Sequence, residues 1–593
     1  MVQRLDAASV RPTEQTALLI KSREANEQRD THVSVAEVSP EGTLTGNRAN
    51  GSVTKPRTED EESQGQGEVE EGIGRSQVAR IISVLLIGIF VAHADGSILL
   101  ATHPIIASEF NDLENSSWLI TSFGLAGAAT QTLYGKLSDI YGRKTLVIIA
   151  YAIFVVGCAI VGMGQTMWQV ILGRVISGAG ASGMAGLVSI LITDLLPVRE
   201  VAQWRAYVNL VATLGRSIGG PLGGWLVDVI GWRWSFFGQV PPIILAIILV
   251  TVYLPNSPTP DAESDTESIP VDDTSTSQKS KFSRIDFKGA TLFALTVLTL
   301  LLPIELGGVK LPWSHPLIFS LFALSAALLF LFIAVEKKQK EPILPLEIFH
   351  RRDAVFSFAI LGLQIAAQLG LMFSVPLYFQ ITARASNTAA GAHLVPAVFG
   401  NALGGLISGL LIKKSGRYKT LIILAVTLSS SSYLLLMLRW HGNTSIWESL
   451  YIFPSGLGTG TAQSALFVSL QAAIPDPARL LAPAISFMYL SSTVAVTVGL
   501  PLSNAVMQTV LRRSLRARLA ALGMGVNEVR RIIENTLSDV DFVDRVTGKV
   551  REAVVGSYVD GLWWSHSVSF LFSITAFVLS LFIRQRPLDG PRA

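Results

Sequence analysis

Charge and cysteine are what this sequence has least of. Only 15% of its 593 residues are Asp, Glu, Lys or Arg, while half are apolar and the mean hydropathy is +0.46. That balance is too apolar for an ordinary water-soluble chain and reads as a membrane protein. A single cysteine, Cys158, lies inside an apolar run, which excludes an intrachain disulfide framework and a cysteine-based metal cluster. There is no HExxH, no Walker loop, no Ser/His/Asp arrangement and no glycosidase-like carboxylate pair in a soluble domain. An enzyme reading and direct ATP drive therefore have no motif to rest on, and neither a cofactor nor a metal is expected. The net charge of +3 hides a segregation, with acidic residues crowded into Thr58 to Gly72 and basic ones in short loops; no nucleic-acid footprint results. Nothing ahead of Ile81 reads as a cleavable signal peptide, so the first apolar run is expected to act as an uncleaved insertion signal.

What the sequence does contain is a long series of apolar runs. Residues 1–76 are rich in Ser, Thr, Glu, Gly and Gln and read as a disordered tail. Behind it, fourteen runs are each long enough to cross about 30 Å of hydrocarbon as a helix: 80–107, 118–135, 145–163, 168–193, 206–229, 236–254, 288–306, 316–335, 354–379, 389–412, 419–438, 447–471, 482–508 and 563–583. The expected fold is thus an all-α polytopic membrane protein embedded in a lipid bilayer. Lys and Arg gather in the alternate short loops that would be cytoplasmic if both termini are cytoplasmic. One segment dissents: Leu511 to Leu537 is basic but falls on the far side, and its periodicity suggests an amphipathic helix at the interface.

An internal repeat organises the series. "GKLSDIYGRKT" (Gly135 to Thr145) follows the second run and "GLLIKKSGRYK" (Gly409 to Lys419) the tenth, with Gly135 and Gly142 spaced as Gly409 and Gly416 are. The expected organisation is a six-helix bundle over 77–255, a cytoplasmic linker over 256–287, two extra helices over 288–336, and a second six-helix bundle over 337–586. The second bundle carries a luminal amphipathic segment, 511–562, and residues 587–593 form a cytoplasmic tail. Gly135 and Gly142 permit close helix approach and a tight reversal, Arg143 and Lys144 anchor the loop in the cytosol, and Asp139 is placed to pair with an Arg. The cluster reads either as a latch between helices or as a simple positive-inside turn.

These loop residues resemble the G-x-L-x-D-x-x-G-R-[KR] signature of the major facilitator superfamily, and the resemblance covers residues 78–586. "DGSILLATHPIIASEF" (Asp95 to Phe110), "GRVISGAG" (Gly173 to Gly180), "GWRWSFF" (Gly231 to Phe237), "PLYFQ" (Pro376 to Gln380) and "GAHLVP" (Gly391 to Pro396) look like the fourteen-helix drug:proton antiporters of fungi. Two motifs depart from that family: Ser177 stands where R-x-x-Q-G has Gln, and "GRSIGGPLGG" (Gly215 to Gly224) shifts the proline and adds Arg216. The stretches around Asp95, Asp194 to Asn209 and Gly215 to Leu226 look closer to fungal vacuolar basic amino acid transporters. The resemblance implies alternating access of two bundles about a midplane site, driven by protons, with Asp139, Arg143 and Asp194 gating the cytosolic side.

Ionisable residues inside the apolar runs are the remaining signal, since a charge at a helix centre costs about 2.5–3.5 kcal/mol on insertion scales. Asp95, Arg174 and Arg216 fall on three neighbouring runs, with His93 and His103 nearby as packing or pore-lining residues. Asp95 suits reversible protonation, or else a permanent Asp95–Arg pair that glues helices. Basic amino acids would suit a cavity holding Asp95, with Asn209, Gln364 and Asn401 as recognition contacts and Tyr378 and Gln380 along the path. In the tail, Glu14 with Leu18 and Leu19 resembles an acidic dileucine signal read by adaptor complexes on vacuolar cargo. Sequons begin at Asn115 and Asn443 on the expected luminal side. The reading is a proton-coupled vacuolar antiporter for basic amino acids, against a plasma-membrane multidrug or azole exporter and a non-transporting nutrient sensor.

Overall fold

A computed structural model of the chain describes residues 75–588, apart from 113–115, 117, 256–285, 308–310, 340, 386, 475–476 and 539–541. The acidic dileucine stretch, the sequon at Asn115 and most of the expected tail and linker lie outside the described residues. No strand is formed among them, and helices carry the whole architecture. The first half comprises α1 (Arg75–Glu109), α2 (Trp118–Tyr141), α3 (Arg143–Met163), α4 (Met167–Leu195), α5 (Val198–Ile230), α6 (Trp232–Phe237) and α7 (Val240–Tyr253). An inserted pair follows, α8 (Phe287–Leu306) and α9 (Pro316–Glu336). The second half runs through α10 (Glu347–His350), α11 (Arg352–Ala383), α12 (Asn387–Ala392), α13 (Val395–Ser415), α14 (Lys419–Arg439), α15 (Phe453–Ala473), α16 (Pro477–Ala521), α17 (Val526–Ser538), α18 (Phe542–Arg545) and α19 (Gly548–Leu581).

Eleven spans among the described residues are long and apolar enough to cross a membrane, three fewer than the sequence suggests. The runs 118–135, 206–229 and 447–471 do form helices, α2, α5 and α15, of comparable length but more polar. Packing explains why apolarity is relaxed there. In α15 side chains are buried nearly all round, so little of it needs to match lipid; small residues serve it better by letting α13 approach closely.

The basic segment after residue 510 also differs from expectation. The helix of the thirteenth run does not stop at residue 508 but continues unbroken to Ala521, 45 residues in all, and the last helix begins at Gly548, well ahead of its apolar run. Between them, Leu511, Leu515 and Leu519 of α16 bury themselves against Val529 and Ile533 of α17, Val543 of α18 and Val554 and Tyr558 of α19. The apolar stripe is thus covered by the chain's own helices, because the extended α16 and α19 stand beside it and supply a partner. The arginines Arg512, Arg513 and Arg516 stay exposed on the outside.

Candidate functional site

The two repeats of the glycine motif occupy equivalent places in the two halves. Gly142 (φ 88°) and Gly416 (φ 64°) both have left-handed backbone, which glycine adopts without strain, and each sits where one helix ends and the next begins. Gly135 and Gly409 sit where the halves touch. A Cβ on Gly135 of α2 would come 2.9 Å from the Ala482 carbonyl oxygen of α16, and one on Gly409 of α13 would come 2.6 Å from the Gln203 Cα of α5. Each motif therefore presses its first glycine onto the backbone of the opposite half.

Charge pairing closes the same end. Lys136 meets Glu341 at 2.8 Å and Lys413 meets Glu200 at 2.9 Å, both bridging the halves or their connector. Arg205 of α5 donates to the Tyr489 hydroxyl of α16 at 2.6 Å and lies 4.4 Å from the centre of the Phe467 ring of α15. Within the first half, Arg143 pairs with Asp139 and donates through Nε to Asp194 at 2.8 Å, while Lys144 donates to the Thr251 carbonyl at 2.8 Å. Burial pushes the Asp139 carboxyl above its ordinary value, with Arg143 and Lys136 opposing that rise. The second half lacks this arrangement, since Lys413 stands at the place of Asp139; Arg586 donates instead to Asp353 at 2.9 Å, and Arg584 and Gln585 tie the chain end to Tyr418 and Gly416.

Beyond this seam the halves part. One large apolar cluster contains residues from both, such as Val201 and Ala202 with Ile412, Phe467 and Ile485. Two clusters at the opposite end each belong to a single half, Leu99, Ile106, Trp232 and Phe236 in one and Tyr378, Trp440 and Leu562 in the other, while Leu125 and Ala128 of α2 share a cluster with α8 and with Leu490 of α16. Further along α5, the Asn209 amide donates to Asn401 of α13 at 2.7 Å. Arg216 lies seven residues further, on the same helical face and about 10 Å along. Its side chain is exposed, with no carboxylate bonded to it among the described residues. His93 of α1 stands close to Gly215 and is half-buried.

Asp95 and Arg174 form the kind of Asp–Arg pair that is one of the two readings the sequence offers for Asp95. They make a two-pronged ion pair at 3.0 and 2.8 Å, 0% and 1% exposed, inside the first half and not on the face between halves. Arg174 also donates to the Leu119 carbonyl at 3.2 Å and sits over the Phe123 ring at 4.3 Å. Arg216 takes no part in this pair. Gln364 is likewise sealed inside the second half, donating to Ser573 at 3.1 Å, and does not join the Asn209–Asn401 contact. Tyr378 is buried and accepts from the Gly442 amide at 2.8 Å, which makes it a strut beside Trp440 and not a lining residue. Asn443 is exposed, as glycosylation would require.

Sequence reasoning passed over the partners Glu200, Arg205, Glu341 and Tyr489, which have no local pattern, and the carboxyls Asp286, Glu305 and Glu336 of the inserted pair. Glu305 had a legible signal, an acid inside an apolar run; the Thr121 hydroxyl donates to it at 3.4 Å. Among the described residues no group of His, Cys, Asp and Glu could hold a metal ion.

Comparison with known proteins fits this geometry. A model of the Major Facilitator Superfamily matches residues 85–500. The chain belongs to that superfamily. It is 31% identical over 86% of its length to the vacuolar membrane amino acid uptake transporter fnx2 of Schizosaccharomyces pombe, covering 85% of that protein. It is 28% identical to the multidrug resistance protein fnx1 of the same yeast, over 85% of this chain and 92% of that one. Vacuolar basic amino acid transporter 2 of Saccharomyces cerevisiae is 27% identical, over 79% of this chain and 97% of that one. Among solved structures, the proton:xylose symporter XylE superposes with a TM-score of 0.55 at 13% identity, covering 87% of this chain and 98% of that one, a likeness of fold alone. The relatives are transporters, and the chain is a multi-pass membrane transporter and not an enzyme.

Proposed function

We propose that this transporter is a proton-coupled antiporter that moves basic amino acids from cytosol into the vacuole, with fourteen crossings in the order six, two, six and both termini cytoplasmic. The observation that carries the reading is the seam itself. Its glycine contacts and ion pairs close the basic-loop end, while Arg216 stays exposed beyond it, the arrangement expected of alternating access with a cleft open to the lumen. Arg216 takes the α-carboxylate of the substrate, Asn209 and Asn401 form the floor of the cleft, and the Asp95–Arg174 pair exchanges the proton. Asp139, Arg143, Lys144 and Asp194 hold the loop that gates the cytosolic side. The names of two relatives, a vacuolar amino acid uptake transporter and a vacuolar basic amino acid transporter, support the cargo and the address.

The test is uptake of labelled lysine into reconstituted vesicles under an imposed pH gradient, run beside a panel of amino acids and cationic drugs. Accumulation that collapses with the gradient is expected. Arg216→Gln should raise KM about 10- to 150-fold, since a hydrogen bond to a charged group contributes about 1.5–3 kcal/mol. Binding without accumulation would identify a sensor instead. A plasma-membrane exporter is the second reading, favoured by the 28% identity to a multidrug resistance protein. It predicts drug transport and a tagged protein at the cell surface, whereas the vacuolar reading predicts a vacuolar protein that Leu18→Ala with Leu19→Ala diverts.

A further inference from the structure

Two carboxyl groups close the basic-loop end of the inserted helix pair. Asp286 caps α8, its Oδ1 accepting from the Gly289 amide at 2.9 Å and from the Gln339 side chain at 3.1 Å. Glu336 is the last residue of α9, and its Oε1 accepts from the Leu344 amide at 2.6 Å. The two residues are 7% and 3% exposed. Their remaining oxygens, Asp286 Oδ2 and Glu336 Oε2, are buried with no hydrogen-bond partner among the described residues. Both converge on one spot, since a Cβ built on Gly289 would come 2.3 Å from the first and 3.0 Å from the second.

Among the described residues no cation is bonded to this pair. The charged groups that bear on Glu336 are Asp286 and Lys136 of α2, and the Lys136 ammonium is engaged with Glu341 at 2.8 Å. Two ionised carboxylates facing each other out of water would repel and would each leave a bare acceptor. One proton between them removes the repulsion and satisfies both oxygens, as in carboxyl dyads that share a proton.

We propose that Asp286 and Glu336 form a proton-binding site that holds one shared proton in the conformation described here, separate from the Asp95–Arg174 pair. The site sits under the connector that joins the inserted helices to the second half. Gln339 and Leu344 of that connector bond directly to the two carboxyls, and Glu341 between them bridges to Lys136 across the seam. Losing the proton sets two like charges against each other beneath this bridge, so alkaline pH on that side loosens the closed seam. The proton site does not depend on which substrate the transporter carries.

Thermal unfolding of the full chain in detergent, followed from about pH 5.5 to 8.5, tests the site. The folded pair keeps a proton that ordinary unfolded carboxyls have already released, so the folded state binds more protons and its stability is lost as pH rises. A fall of about 2–4 °C in Tm is expected between about pH 6 and 8. Glu336→Gln, whose amide donates to Asp286 as the shared proton would, should remove that fall and stand above the unsubstituted protein at the alkaline end. Asp286→Asn should do the same. Infrared difference spectra between the unsubstituted protein and Glu336→Gln at neutral pH should show one protonated-carboxyl band in the former only. Parallel Tm curves for all three proteins, or no such band, would overturn the proposal. A rise in Tm with calcium or magnesium chloride that needs both carboxyls would also overturn it, in favour of a metal cation.

Discussion

Asp95→Asn is expected to abolish gradient-driven accumulation and to lower the stability of the first half at the same time. The substitution leaves Arg174 charged, 1% exposed and stripped of its carboxylate, with only the Leu119 carbonyl and the Phe123 and Phe236 rings around it. Removing one partner of a buried ion pair costs about 3–5 kcal/mol, mostly because the other charge is left uncompensated. Loss of activity in this variant alone would therefore say little about coupling. The informative protein is Asp95→Asn combined with Arg174→Gln. Deleting both charges removes the uncompensated ion, so unfolding temperature should recover most of what the single change lost. If the pair exchanges the proton, the double variant stays folded yet accumulates no lysine under a pH gradient. If the pair only holds α1 to α4, the double variant transports with unchanged pH dependence, and Asp95 leaves the mechanism.

That ambiguity has a physical origin, which also explains how far the residues could be read unaided. Asp95 and Arg174 were legible because a charge amid hydrocarbon is conspicuous in one dimension. Which arginine would meet Asp95 was not, since separation along the chain does not report contact and only the packing of α1 against α4 and α5 distinguishes Arg174 from Arg216. The aligned glycines at 215 and 219 draw α5 onto Phe90 and Ala94 of α1, while the Asp95 carboxylate is taken by Arg174 and Arg216 stays exposed. The repeat from Gly135 and from Gly409 was visible as spacing, and it located the seam. The seam's charged contacts were not, because Lys136–Glu341 and Lys413–Glu200 join residues some two hundred positions apart. Asp286 and Glu336 were hidden for a different reason. One caps a helix and the other ends one, positions where a carboxylate ordinarily needs no explanation, and only burial makes them unusual. Three of the fourteen runs fall short of the apolarity of the eleven clear spans, because helices enclosed by other helices need not be as apolar as those facing lipid.

Adding side-chain volume at the seam should hold the basic-loop end open. Gly409 allows α13 to lie directly on α5, and any Cβ there would meet backbone at Gln203, which cannot swing aside as a side-chain tip could. Inserting bulk into a packed contact costs about 1–3 kcal/mol, and here the cost falls on the closed arrangement alone. Each 1.4 kcal/mol is a tenfold shift between two states, so Gly409→Val should move the population about 5- to 150-fold toward opening at that end. Ser486 offers the reporter. It is fully buried and packs against Gly135 on the other side of the same seam, and Cys158 is the one native thiol to remove. In a Cys158→Ser background, a cysteine placed at 486 should react with a water-soluble maleimide at least about tenfold faster when Gly409→Val is present, and lysine transport should fall in parallel. Gly409→Ala, which carries the Cβ alone, should give an intermediate rate and keeps the comparison readable if valine prevents folding. Both variants folded, with the thiol at 486 as slow as before, would mean that the contact of α13 with α5 is fixed architecture and that the opening and closing of this transporter is set elsewhere.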